Sequence, residues 1–193
     1  GITSVIFVIL IFFFLLKEGL ALFSDYSPLA FLSGRNWLPI SEPPQFGILP
    51  LMLGSFFVTV GAIIICVPLG LAVAIYVAEV APSWLKEWLK FTIELLAAIP
   101  SVVLGFIGIV TLAPLLKNIF HLPSGLTALA GSIMLAFMAL PTVVSIIEDA
   151  INSVPKSYRE GSFALGATHW QTIQRVIIPA SSSGILAAVM LGV

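Results

Sequence analysis

The chain has 193 residues, of which 60% are hydrophobic and 9% charged, and its formal net charge at pH 7 is -1. Together with a mean hydropathy of +1.17, this composition excludes an ordinary water-soluble domain and indicates a protein of the lipid bilayer. The near-neutral charge and the lack of a basic stripe argue against a nucleic-acid-binding protein. The single cysteine, Cys66, excludes a disulfide or a cysteine-based metal site within the chain.

Long uncharged runs predict the membrane spans. A helix crosses the hydrocarbon core with about 20 apolar residues, and five runs approach or exceed that length: 1–16, 43–78, 95–116, 122–147 and 176–193. A signal peptide is the alternative interpretation of the first run, but no Lys or Arg precedes it. We therefore expect an all-α membrane protein with five spans, and we expect both ends to continue beyond the given sequence.

The connecting segments predict the orientation of these spans. On one side, segments 79–94 and 148–175 carry five basic residues, and on the other, segments 17–42 and 117–121 carry three. Because short loops rich in Lys and Arg stay in the cytoplasm, the first pair is predicted to be cytoplasmic. Acids near these ends could face water or pair with Lys86, Lys90 or Lys156. They are Glu79, Glu94, Glu148 and Asp149.

A short motif occurs twice inside the predicted spans, as Ala98-Ile-Pro-Ser-Val-Val103 and as Ala139-Leu-Pro-Thr-Val-Val144. A proline within a membrane helix frees a carbonyl and bends or breaks the helix, and irregular backbone at membrane depth can line a cavity. The motif therefore predicts broken helices and a set of candidate pathway residues. These are Pro100, Ser101, Pro141, Thr142 and Ser145. The alternative is that they are kinks that serve helix packing, which is the commoner role of such residues.

The stretch between the fourth and fifth spans predicts a helix, a sharp turn and a second helix. Pro155 suits the start of a helix that runs to Leu165, and Gly166 suits the left-handed residue that ends it. Thr168 and Gln171 then have the spacing of a capping box. Small residues would let a partner approach the first helix closely, as in helix-in-groove docking. A helix lying on lipid headgroups is the alternative, and the spacing alone favours neither.

The same stretch carries a family resemblance. Glu160-Gly-Ser-x-x-x-Gly166, followed after nine residues by Val176-x-Ile178-Pro179, resembles the EAA loop of ABC-importer permeases, whose pattern is Glu-Ala-Ala, three residues, Gly, nine residues, Ile-x-Leu-Pro. Gly161 and Ser162 stand where that pattern has alanines. Segments 46–55, 67–79 and 93–106 are similar to the PstC-type permease subunits of phosphate importers. Sulfate and molybdate permeases share the general pattern.

The resemblance implies a type I ABC-importer permease fold, MetI-like, with five of six expected helices present. It divides the chain into a first helix with an external loop, 1–49, and a permease core, 50–193, with a coupling loop at 153–179. It also implies that the coupling helix contacts an ATPase subunit through a defined set of residues. These are Tyr158, Arg159, Glu160, Gly161, Ser162, Leu165 and Gly166.

The implied partners are a second permease subunit of PstA type, an ATPase dimer of PstB type and an external phosphate-binding protein of PstS type, all at a bacterial or archaeal inner membrane. The sequence has no GxxxxGK[ST] loop, so the chain is not expected to be an enzyme, and ATP and Mg²⁺ are expected on the ATPase. His121 and His169 lack a second ligand at helical spacing, so no metal site is expected. The alternatives of a different class are a self-contained channel or secondary carrier, and an assembly protein.

Overall fold

The computed structural model describes residues 2–192, and it divides into two compact units, Gly1–Phe56 and Phe57–Val193. Helices dominate both units, and a two-stranded antiparallel ribbon lies in the first. Within residues 2–192, four helices are long and apolar enough to cross a membrane, and a helix pair bent by 66° brings the number to five if it counts as one span. The expected all-α membrane fold is confirmed.

The first unit begins with one long apolar helix. α1 covers Ile2–Asp25 and α2 covers Pro28–Ser33. The strands β1, Trp37–Leu38, and β2, Gln45–Phe46, then pair with Trp37 opposite Phe46. No residue of the Thr3–Ser24 span is buried, as expected of a helix that faces lipid.

The sequence prediction ended the first span too early. Lys17 and Glu18 were expected in an external loop, but they lie inside α1. Both residue types are good helix formers, and no proline interrupts the chain before Pro28. The prediction treated the first charged residues as the end of the helix, whereas a change in polarity alone does not stop one.

The remaining helices follow in chain order. α3 covers Leu49–Ile75, so it begins in the first unit and continues in the second, and it is extended by a π-helical turn, Tyr76–Val80. α4 covers Ser83–Ala97, α5 covers Ser101–Ile107, a π-helical turn covers Gly108–Leu112, and α6 covers Ala113–Phe120. α7 covers Ala128–Asn152 and α8 covers Lys156–Ala164. α9 covers His169–Thr172, a π-helical turn covers Ile173–Ile177, α10 covers Ile178–Ala180, and α11 covers Ser182–Gly192.

α7 is the central helix of the second unit. It packs against α4, α5 and α11, and its buried Val143, Ile147 and Ile151 form the core together with Cys66 of α3. Glycines allow the helices to approach closely. A Cβ added at Gly70 would lie 2.9 Å from Cγ1 of Val143. Such contacts are typical of helix interfaces in membranes. The hydrophobic effect does not drive helices together there, so association depends on the close packing that small residues permit.

The two proline motifs behave differently. At the first motif the chain does break, since α4 ends at Ala97 and α5 begins at Ser101 with Pro100 as its N-cap residue. At the second, the predicted break is wrong, because α7 continues through Pro141. Pro141 removes one backbone hydrogen bond, but it is buried in the most densely packed helix. Packing on several sides therefore holds the helix together.

The segment 79–94, expected to be a loop, is mostly helical. It forms the end of the π-helical turn and most of α4, so the third predicted span, 95–116, is displaced, and the observed span is Ser101–Phe120. Trp and Leu residues alternate with Lys and Glu at helical spacing in α4, as in an amphipathic helix. The sequence prediction took the charged residues of this segment as evidence for a loop.

Candidate functional site

The predicted coupling stretch forms the helix-turn-helix expected from the sequence. α8 follows the N-cap residue Pro155 and ends with Leu165 as its C-cap residue. Gly166 has φ +82°, in the left-handed region. The amide of Ala167 donates to the carbonyl of Ser162 at 3.2 Å, and the amide of Gly166 donates to the carbonyl of Phe163 at 2.9 Å. These two bonds define a Schellman motif, which confirms the role predicted for Gly166.

A capping box starts the second helix, as predicted. The side chain of Thr168 accepts from the amide of Gln171 at 3.3 Å, and the side chain of Gln171 accepts from the amide of Thr168 at 2.9 Å. The hydroxyl of Thr172 donates to the carbonyl of Thr168 and lies 2.9 Å from the hydroxyl of Ser162. The hydroxyl group of Thr172 has one proton, which it donates to Thr168, so the hydroxyl of Ser162 is the donor in the Ser162–Thr172 pair. This buried bond fixes α8 against α9.

Arg159 faces the interior of the protein. One guanidinium nitrogen donates to the carbonyl of Val154 at 2.7 Å. The other donates to a carboxylate oxygen of Glu79 at 2.6 Å and to the carbonyl of Ile151 at 3.1 Å. The Glu79 side chain is 9% exposed and the Arg159 side chain 21%. The acid was expected to face water or pair with a lysine, and the structure gives it an arginine partner.

Most of the remaining surface of α8 is exposed. We call Tyr158, Glu160, Gly161 and Leu165 the outer face; Leu165 is 91% exposed. No atom lies within 4 Å of a Cβ built on Gly161. A shallow cavity of about 480 Å³ runs beside Tyr158 and Gly161 toward α9. Of the residues predicted to contact a partner, the outer face and Gly166 are accessible, whereas Ser162 is buried and Arg159 faces inward.

A second cluster of charges lies where α4 meets α7. The buried carboxylate of Glu148 is 3.1 Å from the ammonium of Lys90 and 3.7 Å from that of Lys86. The carboxylate also accepts a hydrogen bond from the side-chain amide nitrogen of Asn152 at 2.7 Å. The hydrogen bond and the charge of Glu148 raise the pKa of Lys90. The expected pairing of Glu148 with lysines is confirmed, and it fixes α4 to the end of α7.

The family profile described as "Binding-protein-dependent transport system inner membrane component" matches residues 66–193. The chain belongs to this family. It is 48% identical over 181 residues to the probable ABC transporter permease protein YqgH of Bacillus subtilis, covering 93% of this chain and 59% of that protein. It is 33% identical over 182 residues to the phosphate transport system permease protein PstC of Haemophilus influenzae, covering 84% of this chain and 57% of that protein.

A further relative is the phosphate transport system permease protein PstC 2 of Mycobacterium tuberculosis, 31% identical over 210 residues that cover 100% of this chain and 65% of that protein. The chain thus spans less than two thirds of the length of these permease-family relatives. A chain of the inward-facing methionine ABC transporter MetNI matches with a TM-score of 0.57 and 21% identity, covering 79% of this chain and 71% of that one. The expected MetI-like permease fold and the PstC-type resemblance are confirmed.

The predicted pathway residues of this permease-family chain do not form one cluster around a cavity. Pro100 and Ser101 are exposed at the break before α5, while Thr142 is exposed and Ser145 half-buried on α7. Pro141 lines a cavity of about 540 Å³ together with apolar side chains of α4, α5 and α7, and Thr111 is its single hydroxyl-bearing residue among those described. An anion would lose its hydration there without gaining donors. The pathway assignments stay predictions.

No group of three or more His, Cys, Asp or Glu residues is placed to hold a metal ion within residues 2–192. His169 begins α9 and stacks on Phe163, with ring centroids 6.3 Å apart. Sequence reasoning missed the pairing of Glu79 with Arg159. The two residues are 80 positions apart, and no local spacing pattern links them.

Proposed function

We propose that the chain is the membrane-spanning core of the permease subunit of an ATP-driven importer for inorganic phosphate, located in the cytoplasmic (inner) membrane of a bacterium or archaeon. The family assignment and the PstC names of the relatives support this proposal. The observation that carries it is the exposed outer face of α8, on a helix held in place by a Schellman motif and a buried hydrogen bond.

In this proposal α8 is the coupling helix. Its outer face docks on an ATPase dimer of PstB type, a second permease subunit of PstA type completes the pathway, and an external binding protein of PstS type delivers phosphate. ATP and Mg²⁺ belong to the ATPase, so the chain itself is not an enzyme. The ATPase can shift the permease between conformations only through contacts that differ between its two states, and the outer face is the surface best placed to make them.

The test is ATP-dependent uptake of labelled phosphate by the complete transporter in proteoliposomes, with sulfate and molybdate as competitors. We expect uptake that requires the ATPase and the binding protein and that neither competitor inhibits. Inhibition by sulfate or molybdate would assign the permease to another oxyanion. Phosphate flux without the ATPase would indicate a channel or a secondary carrier and would contradict the proposal.

A further inference from the structure

The ion pair between Glu79 and Arg159 joins two elements that are distant in the sequence. Glu79 lies in the π-helical turn that extends α3, and Arg159 lies in the middle of α8. The backbone of α8 packs mainly on α9 and the π-helical turn that follows it. The hydrogen-bonded ion pair of one carboxylate and one guanidinium thus links α8 to the end of α3 through side chains.

The same guanidinium also binds the end of α7. Ile151 belongs to the last turn of α7 and Val154 to the connection that follows, and both present carbonyls to Arg159. Arginine carries its donors in a rigid planar fork, so it can hold a carboxylate and two carbonyls at once. One residue of α8 thus contacts the ends of two candidate spans, Leu49–Val80 and Ala128–Asn152.

The ion pair between Glu79 and Arg159 is largely shielded from water. Glu79 is nearly buried and Arg159 is four-fifths buried, so water and salt screen the pair less than a surface pair. Removing one partner leaves a charge with poor hydration, which is costly. The acid lies in a π-helical turn, a form of helix that is rare and frequently found at functional sites.

Arg159 points into the protein, whereas other residues of the α8 segment are exposed to a partner. Tyr158 and Leu165 are exposed on the outer face, and Arg159 binds groups on the opposite side. We propose that Arg159 is a positioning residue that transmits movement of α8 to the end of α3 through Glu79, and that it does not contact the ATPase. This inference rests on the proposed function of α8 as a coupling helix.

The test uses Glu79→Ala, because Glu79 is not on α8 and its replacement leaves the outer face unchanged. In the reconstituted transporter we expect Glu79→Ala and Arg159→Ala to retain the ATPase subunit and to hydrolyse ATP, but to take up about tenfold less phosphate per ATP than the wild type, a change within the range typical of a coupling between two sites. The double variant should be no worse than either single variant, because both remove the same link.

Leu165→Asp on the outer face is the matched control, and it should release the ATPase subunit. Release of the ATPase by Arg159→Ala but not by Glu79→Ala would overturn the inference, since Arg159 would then be a docking contact. Normal uptake per ATP in Glu79→Ala would also overturn it. Should Arg159→Ala fail to insert, the comparison of Glu79→Ala with the wild type still gives the uptake per ATP. Loss of insertion in every variant would show a purely structural pair and would overturn the inference.

Uptake is measured with whichever anion the wild-type transporter accepts. A wrong substrate or a missing ATPase requirement would then appear in the wild-type protein and would count against the proposed function. A failure of the ion-pair inference would appear only in the comparison of variants with a wild type that couples normally.

Discussion

At the scale of single residues, Gly161 and Gly166 lie five positions apart and have opposite backbone requirements. Gly161 lies inside α8, where glycine weakens a helix, and Gly166 has φ +82°. No atom lies within 4 Å of a Cβ built on either residue. An alanine side chain therefore meets no steric clash at either position. The two substitutions differ only in the backbone conformation, which is helical at Gly161 and left-handed at Gly166.

We expect Gly161→Ala to stabilise α8 by about 1 kcal/mol, because alanine is the better helix former. Gly166→Ala should destabilise the turn by about 1–2 kcal/mol, because an L-residue is strained in the left-handed region. Amide hydrogen exchange of α8 and α9 in the reconstituted permease measures both effects. Slower exchange in the first variant and faster exchange in the second are expected, and equal exchange in the two would contradict the assignment.

The carboxylate of Glu148 offers a second test at this scale. Its side chain is 5% exposed, whereas those of Lys86 and Lys90 are 33% and 45% exposed. Replacing both lysines by methionine leaves a buried charge without compensation. Glu148→Gln leaves only lysines that can reach water, and it keeps an acceptor for Asn152.

We therefore expect Lys86→Met/Lys90→Met to destabilise the protein more than Glu148→Gln does. The loss should fall below the ~3–5 kcal/mol typical of a broken buried pair, because the lysines are partly solvated. The order of stabilities is measured by thermal unfolding in detergent. The readout is the loss of monodisperse protein on size-exclusion chromatography after heating. A Glu148→Gln protein less stable than the double lysine variant would contradict this order, because an unpaired Glu148 charge would then not be the main cost of breaking the cluster.

At the scale of elements, local signals were predicted well and long-range ones were not. Gly166 and the Thr168–Gln171 box act within a few residues, so their spacing was sufficient to place the turn and the second helix. The break at Pro141 was predicted from the same motif as that at Pro100 and is wrong, because burial of α7 decides the outcome. The Glu79–Arg159 pair depends on the packing of the whole second unit, which no local pattern encodes.

α4 presents an aromatic surface that the sequence prediction of a loop did not consider. Trp84 is 66% exposed and Trp88 is 65% exposed, and a spacing of four places them on one face of the helix. Lys90, on another side of the same helix, is bound to α7. Tryptophan is enriched at the boundary between headgroups and acyl chains, and an amphipathic helix with this pattern lies in that boundary.

We expect Trp84 and Trp88 to be quenched by lipids brominated near the headgroup. Single-tryptophan variants of the permease in nanodiscs, with the other tryptophans replaced by phenylalanine, separate the signals. Trp37, which packs edge-to-face against Phe46 in the ribbon of the first unit, is the control and should be quenched less. Quenching of Trp84 and Trp88 no stronger than that of Trp37 would show that α4 does not lie at the lipid surface.

At the scale of the whole molecule, the ion pairs of the second unit lie at the ends of spans. Glu79 lies in the final turn of one span and Glu148 near the end of another, and both pair with residues outside the spans. Both clusters fall in segments that the distribution of Lys and Arg predicts to be cytoplasmic. The charges therefore connect the ends of the helices on the side where α8 lies, and the interiors of the spans Leu49–Val80 and Ala128–Asn152 carry no charged residue.

Under the proposed function, a phosphate pathway through such spans must use neutral donors, donors from other subunits, or both. Ser101 and Thr142 are the exposed hydroxyl residues of the repeated motif, and they gain no support from the apolar cavity beside Pro141. If they line the pathway, Ser101→Ala and Thr142→Val should each lower phosphate uptake by the complete transporter about tenfold or more, the scale of one lost hydrogen bond to a charged group.

Thr92→Val is the matched control for this comparison, because the hydroxyl of Thr92 donates to the carbonyl of Trp88 within α4 and is not needed by a substrate. Its uptake should equal that of the wild type. Uptake by Ser101→Ala and Thr142→Val that is as high as that of Thr92→Val would remove both residues from the pathway. The donors for phosphate would then have to come from other hydroxyl groups of this chain or from a partner subunit, since a dehydrated anion cannot cross apolar helices without them.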